Sequence, residues 1–344
     1  MTILVIIFTK VINIGPNISL PEFPLLLAPM EDVSDPPFRA LCKEQGADLV
    51  YTEFISSEGL IRDAIKSKVK LDIFDYERPV GIQIFGGDEE AMALSARICE
   101  ATGPDLVDIN FGCPVKKVVC KGAGAGILKD IPKMVKLTKA IVDSVELPVT
   151  VKTRLGWDDR TKNIEEVAER LQDVGIKALA IHGRTRTQMY KGEADWSLIA
   201  KVKENPRITM PIFGNGDIDT PEKAVEYKKR YGVDGIMIGR ASIGNPWIFK
   251  QMKHFIATGE HLPLPTLEEK VDICLRHVKT SIDWKGEKLG ILEMRRHYSN
   301  YLKGLSHSKQ FRNQLVQVDT YEEIKNIFSE LIEYYSKTEA IIAE

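Results

Sequence analysis

No two of the five cysteines, Cys42, Cys99, Cys113, Cys120 and Cys274, form a Cys-x-x-Cys pair, so the spacing used by zinc sites, iron–sulfur sites and dithiol motifs is missing. Three of them stand in helical patterns where a small apolar residue would also fit, which points to a reducing, cytoplasmic setting and no metal. Long apolar runs are missing too. The opening Met1-Thr-Ile-Leu-Val-Ile-Ile-Phe8 has no basic start, is too short to cross a bilayer and is followed by Lys10 and a strand-like Val11-Ile-Asn-Ile14. Residues 1–23 are therefore expected as extended segments capping the floor of the fold, without membrane association. Excess charge is absent as well: 47 Lys and Arg face 49 Asp and Glu, for a formal net charge of −2. Any polyanionic partner must then be met by a local patch rather than by the overall field.

What is present is an alternation. Eight short runs rich in Val, Ile and Leu recur roughly every 25 to 40 residues, each followed by a polar tip and then a helical pattern. They are Leu25-Leu-Leu-Ala-Pro29, Leu49-Val-Tyr-Thr-Glu53, Val80-Gly-Ile-Gln-Ile84, Leu106-Val-Asp-Ile-Asn110, Val149-Thr-Val-Lys-Thr153, Ala178-Leu-Ala-Ile-His182, Pro211-Ile-Phe-Gly214 and Gly235-Ile-Met-Ile-Gly239. Helix starts at Asp88, Asn163 and Thr220, with stops at Gly103, Gly175 and Gly232, fit cap and dipole preferences. Eight strands alternating with helices predict an α/β fold, a (β/α)8 TIM barrel. Two prolines and a glycine between Thr258 and Pro265 mark a boundary. The expected division is a barrel with capping strands over residues 1–257 and a smaller all-helical domain over 266–344.

The strand tips form a ring of hydrogen-bonding groups: Met30, Glu53, Gln83, Asn110 with Cys113, Lys152 with Arg154, His182 with Arg184, Asn215 with Asp217, and Arg240. Their concentration at the carboxyl ends of successive strands is the mark of a barrel active site. Cys113 follows its strand directly in a Gly-Cys-Pro turn. The segment before it offers no histidine or cation to favour the thiolate, so a neutral thiol that donates a proton fits better than a nucleophile. Cys120 lies farther along the loop and is the weaker choice. Gly214-Asn-Gly-Asp217 and Gly239-Arg240, after the seventh and eighth strands, sit where barrels cradle phosphate with backbone amides, although each alone would pass for a tight turn. Gln83, Lys152 and His182 suit an isoalloxazine ring, an amide for its pyrimidine edge and a cation for its reduced form. Lys152 has a rival use as a Schiff-base lysine, and His182 a bland one as partner of a buried carbonyl.

Several separated motifs, in order and over nearly the whole chain, carry a resemblance. They are Ala28-Pro-Met30 with Asp35-x-x-Phe-Arg39, Asn110-x-Gly-Cys-Pro114 with Lys121-Gly-Ala-Gly-Ala125, Val151-Lys-x-Arg-Leu-Gly156, His182-Gly-Arg-Thr185, Gly214-Asn-Gly-Asp217 and Gly239-Arg240. The chain resembles the tRNA-dihydrouridine synthases of bacterial type, a flavin-dependent barrel family. The resemblance implies FMN contacts at Ala28, Pro29, Met30, Gln83, Lys152, His182, Asn215, Gly216, Asp217, Gly239 and Arg240, and matches Cys113 to the family's proton donor. It further implies hydride delivery to carbon 6 of a uridine in tRNA, with the proton from Cys113 going to carbon 5. Glu31-Asp32 departs from the small residue and glycine that many relatives carry, which makes the loop after the first strand more acidic. No dinucleotide fingerprint is present, because Gly122-Ala-Gly-Ala-Gly126 lacks the third glycine at the required offset. NADPH is then expected to reduce the flavin in the open mouth before the RNA enters.

Residues 276–312 hold nine Lys and Arg against three Asp and Glu, and residues 313–344 hold two against seven. In the first part Ile291, Met294, Tyr298, Tyr301 and Leu305 share one helical face, and Arg296, Asn300 and Lys303 another. Most such charge runs are solvated faces. A uridine in folded tRNA, however, must be extruded into a pocket beside a positive surface. Asn110, Arg154, Arg184, Arg186, Arg295, Arg296 and Lys303 are the expected RNA contacts of a monomeric enzyme. Other readings are an FMN barrel acting on a free pyrimidine, a Schiff-base lyase using Lys152, and an RNA-binding protein on an enzyme-derived scaffold.

Overall fold

A computed structural model describes residues 11–343, with side chains through residue 337. The expected strand in residues 1–10 lies outside the described residues. From Val11 on, the floor is as expected. Strands β1 (Ile12–Ile14) and β2 (Ile18–Leu20) form an antiparallel hairpin that buries Ile12, Ile14, Ile18 and Leu20 and leaves Asn13 and Ser19 outside. Their apolar face closes the amino ends of the barrel strands, against Leu26, Leu49, Leu106, Ala178 and Phe213.

The barrel itself runs through β3 (Leu25–Leu27), β4 (Val50–Tyr51), a short extension β5 (Ile55–Ser56), β6 (Val80–Phe85), β7 (Leu106–Asn110), β8 (Val149–Arg154), β9 (Ala178–His182), β10 (Ile212–Asn215) and β11 (Gly235–Ile238). Every pairing is parallel and follows chain order. The circle closes where β11 pairs with β3 and Leu26 bridges to Leu49, with Leu27 N–H donating to Leu49 O at 2.9 Å. Strands covered on both faces need unbroken apolar runs, which is why these segments are almost wholly buried. The second barrel strand is shorter than the run Leu49–Glu53 suggests. Beyond Tyr51 the Thr52 hydroxyl, not a backbone carbonyl, accepts the Gln83 N–H at 3.1 Å, and the chain rejoins the sheet only at Ile55.

Asp88 caps the helix Glu89–Glu100 through the Ala91 N–H at 2.8 Å, and Thr220 caps Pro221–Tyr231, which ends at Gly232 with φ 66°. Asn163 precedes the helix Ile164–Asp173 without capping it. Its ψ of 27° turns the side chain away from the free N–H groups, and its amide oxygen is buried without a partner.

Past residue 266 the chain is helical and has its own core, built on Val271, Cys274, Ile291, Met294, Tyr298, Phe328 and Leu331. The single helix expected over 290–305 is broken: Glu287–Met294 and Tyr298–Tyr301 are separate turns of helix joined through Arg295–His297. The apolar face survives the break, with Ile291, Met294, Tyr298 and Tyr301 buried and Leu305 packed against them. This part docks on the barrel through Lys285 to Asp35 (3.1 Å), Trp284 Nε1 to Asp72 (2.8 Å), Arg296 to Asp32 (3.0 Å), and Phe38 stacked on His277 at 5.6 Å.

Asp35 serves both sides of that seam, since it also caps the helix Pro36–Glu44 through the Phe38 N–H at 3.1 Å. Asp35→Ala is expected to cost about 1–3 kcal/mol, from the lost cap and the lost partner of Lys285. A urea midpoint that falls at constant m-value is the check, and an unchanged midpoint contradicts the assignment.

Candidate active site

The carboxyl ends of the strands open into a cavity of about 900 Å³ whose wall includes Ala28, Pro29, Met30, Asn110, Cys113, Lys152, Arg154, His182, Asn215, Gly216, Asp217, Gly239, Arg240 and Lys303. Apart from Gln83, every cofactor position inferred from the sequence is on that wall. Gln83 lies a layer beneath, fully buried, with both ends of its amide engaged.

Cys113 is fixed by the side chain of Asn110, the last residue of the strand before it. The Asn110 amide oxygen accepts the N–H groups of Gly112 (3.0 Å) and Cys113 (2.8 Å), while its Nδ2 donates to Gln83 at 2.8 Å. Ala125 N–H closes the turn on the Cys113 carbonyl at 3.0 Å, and Gly124 passes so close that a Cβ there would lie 3.1 Å from the Cys113 Cβ. Burial pushes the Cys113 thiol up, opposed more weakly by the Val115 N–H and the Arg154 charge. At neutral pH it is therefore a proton carrier and not a thiolate. Cys120 is exposed and is not on the cavity wall.

Lys152 projects into the same space and makes no hydrogen bond or ion pair with any of the described residues. Burial, then the neighbouring Arg154, lower its ammonium to about 8, with Asp108 working in the other direction. His182 is held neutral by burial and by the surrounding Arg154, Lys152, Arg184 and Arg240. On the far wall Asn215 is anchored to the Met237 carbonyl at 2.8 Å. Gly216 has φ 124°, and a side chain there would strike Ala194 and His182. The N–H groups of Asp217 and Gly239 donate to no acceptor among the described residues, as an anion-binding turn requires.

The basic surface expected of Arg154, Arg184 and Arg186 is not exposed. Arg154 is buried and spends its guanidinium on the carbonyls of Gly112 (2.7 Å), Thr185 (3.1 Å) and Met189 (2.9 Å). Arg184 pairs both Asp217 oxygens, at 2.9 and 2.7 Å, and bonds the Lys191 and Gly192 carbonyls. Burial works against the Asp217 charge, but Arg184, the Ala194 N–H and Arg240 outweigh it and hold the carboxyl below its usual range. Arg186 lies over Trp157 at 4.7 Å, a ring that Lys129 also approaches at 3.9 Å. In the tail, Arg295 is taken by Asp319 (2.8 Å) and Arg296 by Asp32, which leaves Lys303 at the mouth without a partner among the described residues.

Two residues escaped sequence reasoning. Tyr190, half exposed on the wall, lies 5.8 Å from the Arg154 guanidinium and 4.9 Å from that of Arg240; it sits in an irregular loop with no periodicity to flag it. Asp108 is a carboxylate in the middle of an apolar strand run, which was itself a signal.

Fold and site together define a (β/α)8-barrel enzyme whose chemistry is gathered at the carboxyl ends of its strands around one protonated thiol and one unpaired ammonium. The dihydrouridine synthase (Dus) family model matches residues 26–337. The chain is 41% identical over 305 residues to tRNA-dihydrouridine synthase B of Pseudomonas aeruginosa, covering 89% of this chain and 91% of that one. It is 38% identical over 313 residues to a probable tRNA-dihydrouridine synthase of Rickettsia bellii, covering 91% and 94%. Among solved structures, a 2-naphthoyl-CoA reductase (TM-score 0.55, 14% identity, 72% of this chain and 52% of that one) and a histamine dehydrogenase from Rhizobium (0.52, 14%, 84% and 50%) share the fold. The chain spans about half the length of those two structures. It belongs to the dihydrouridine synthase family and is an oxidoreductase. No described helix is long and apolar enough to cross a membrane.

A raised thiol pKa leaves little thiolate at neutral pH and more as pH rises. Cys113 is therefore expected to react with iodoacetamide more slowly than exposed Cys120 at pH 7, with a rate still climbing above about pH 9. Peptide mapping after timed alkylation reads both sites, and equal rates at pH 7 would refute the assignment.

Proposed function

We propose that this protein reduces the C5–C6 double bond of uridines in tRNA to 5,6-dihydrouridine, with FMN re-reduced by NADPH, and with Cys113 as the proton donor. The observation that carries the reading is the convergence, in one cavity, of a protonated Cys113, an unpartnered Lys152 and a neutral His182. These residues fit FMN. The Lys152 ammonium, buried without a counter-ion in contact, suits the electron-rich side of the ring. The free N–H groups of Asp217 and Gly239 beside Arg240 suit the phosphate, and Ala28, Pro29, Met30, Asn215 and Gly216 complete the walls. When bound, FMN supplies a hydride to carbon 6 of the base.

The rest of the work falls to the chain. Cys113 gives its proton to carbon 5 as the C5–C6 double bond is consumed, so hydride and proton together add two hydrogens. The thiolate left behind is met by the Val115 N–H and by the charges of Arg154 and Lys152. Asn110 holds the Cys113 backbone while its own polar atoms are engaged, which favours a positioning role over contact with RNA. Residues 1–257 are proposed as the catalytic barrel and 266–344 as the tRNA-binding domain, with Lys303 as the point where the second reaches the first's cavity. A free pyrimidine as substrate would leave that cation without a purpose.

Cys113→Ala is expected to lower turnover about 10²–10⁴-fold while FMN stays bound. Mass analysis of unmodified tRNA should show two hydrogens gained per modified uridine with the native protein, and wild-type rates in the variant would refute the donor assignment. Lys303→Glu should raise KM for tRNA about tenfold and reduce the salt slope of binding by about 1, with kcat nearly unchanged. An unchanged salt slope removes Lys303 from the RNA surface.

A further inference from the structure

Beneath the cavity a chain of hydrogen bonds runs from a buried carboxylate to the thiol loop. Asp108 on β7 is 2% exposed and accepts from Gln83 Nε2 at 2.5 Å and from the Thr150 hydroxyl. Gln83 Oε1 then accepts from Asn110 Nδ2, and Asn110 Oδ1 accepts the N–H groups of Gly112 and Cys113. Each link has a direction, and both ends of the chain force it: the carboxylate can only accept, and the backbone N–H groups of Gly112 and Cys113 can only donate. A carboxylate has no N–H to offer, whereas each of the two amides could be turned end for end. With Asp108 at the base, the Gln83 amide nitrogen must face down and its oxygen up. The Asn110 nitrogen must then face Gln83, and its oxygen is left for the loop.

Deepening the reading of Cys113 as proton donor, on which it rests, we propose that Asp108 is a positioning residue for the reaction: it holds the Gln83 amide with its oxygen toward Asn110, matching the direction the loop N–H groups impose on Asn110, and so holds the Cys113 turn in its donating geometry. The groups facing Asp108 agree with this. They are Gln83 on β6, Thr150 and Lys152 on β8, and Tyr51 on β4, and the Lys152 ammonium is the cation among them. The register explains the arrangement, since Gln83 lies opposite Asp108 and Asn110 opposite Lys152. A buried carboxylate in the centre of an apolar strand is costly, and fold stability alone would favour an apolar residue there. Burial pushes the Asp108 carboxyl up to about 6, while the Gln83 and Thr150 donors and the Lys152 charge favour its ionised form.

The test is a polarity swap in the purified holoprotein, with Cys120→Ser as background so that alkylation reports on Cys113. Asp108→Asn introduces a donor at the base of the chain, lets Gln83 turn over and sets its NH2 against that of Asn110, which the loop N–H groups hold in place, so that Asn110 loses its support from below. Iodoacetamide labelling of Cys113 should then speed up about tenfold or more, and kcat should drop by a similar factor with KM for tRNA within about twofold. Asp108→Asn combined with Gln83→Glu restores the direction, because the carboxylate now on β6 can accept from the new amide below it and from Asn110 above. This pair should return the labelling rate to within about threefold of the background protein. Unchanged labelling in Asp108→Asn, or no recovery in the pair, overturns the proposal. If Asp108→Asn fails to fold, the pair alone decides through its labelling rate. Failure of the Cys113 donor reading is a separate result: a background protein that keeps full uridine reduction after Cys113 is alkylated.

Discussion

The parallel register of β6, β7 and β8 is the constraint on which the site depends. It sets Gln83 beside Asp108 and Asn110 beside Lys152, and it carries Phe111 N–H to the Lys152 carbonyl at 2.8 Å just before the chain turns into the Cys113 loop. Side chains alternate along a strand, so Asp108 and Asn110 share one face while Val107 and Ile109 fill the core between barrel and helices. A slip of one residue would exchange these faces, burying two polar groups among helices and turning two aliphatic ones toward the cavity. The apolar surface outside the strands thus determines where the thiol stands.

Charge at the mouth is rationed by the same logic. Arg154, Arg184 and Arg240 crowd one side of the cavity, and their repulsion would be severe were the first two not tied to carbonyls and to Asp217. Those bonds turn the arginines into struts for irregular backbone: Arg154 joins the Cys113 loop to the loop after β9, and Arg184 joins that loop to the turn after β10. Lys152 is left as the one cation of the inner wall that has no partner among the described residues. A cation in that state keeps its electrostatic reach for whatever enters.

Strand count, the caps at Asp88 and Thr220 and the ring of polar tips could be read from the chain because each rests on local pattern: period, capping residue, glycine stop. Cys113 could be read because the strand run and the Gly-Cys-Pro turn are adjacent. The roles of the arginines could not. Arg154 and Arg184 look alike in sequence to solvent-facing cations, and only folding brings the Thr185, Met189, Lys191 and Gly192 carbonyls around them. The same holds for Arg295, whose partner Asp319 lies 24 residues on, so the basic stretch 276–312 and the acidic stretch after it partly neutralise each other. Gln83 is named for its amide, its place near a strand end and the resemblance, and only its depth was illegible, because strands end at different heights and β6 continues to Phe85 above it.

The acidic pair Glu31-Asp32 takes its meaning from the docking of the helical part. Lys70 bonds Glu31 at 2.6 Å and lies 3.4 Å from Glu53, whose carboxylate accepts the Asp32 N–H at 2.7 Å. Asp32, at φ 59°, turns its carbonyl and carboxylate outward to Arg296 at 3.1 and 3.0 Å. The three carboxylates are thereby matched by cations from two directions, one from the barrel and one from the tail. The loop after the first barrel strand has become a joint between catalytic mouth and helical part, within reach of Met30 on the cavity wall. Because Asp35, farther along the same loop, grips Lys285, the helical part is held to the barrel at the edge of its active site. An anchor at that edge keeps the lever arm between the helical part and the cavity wall short, so the two are held at a fixed angle close to the Cys113 thiol.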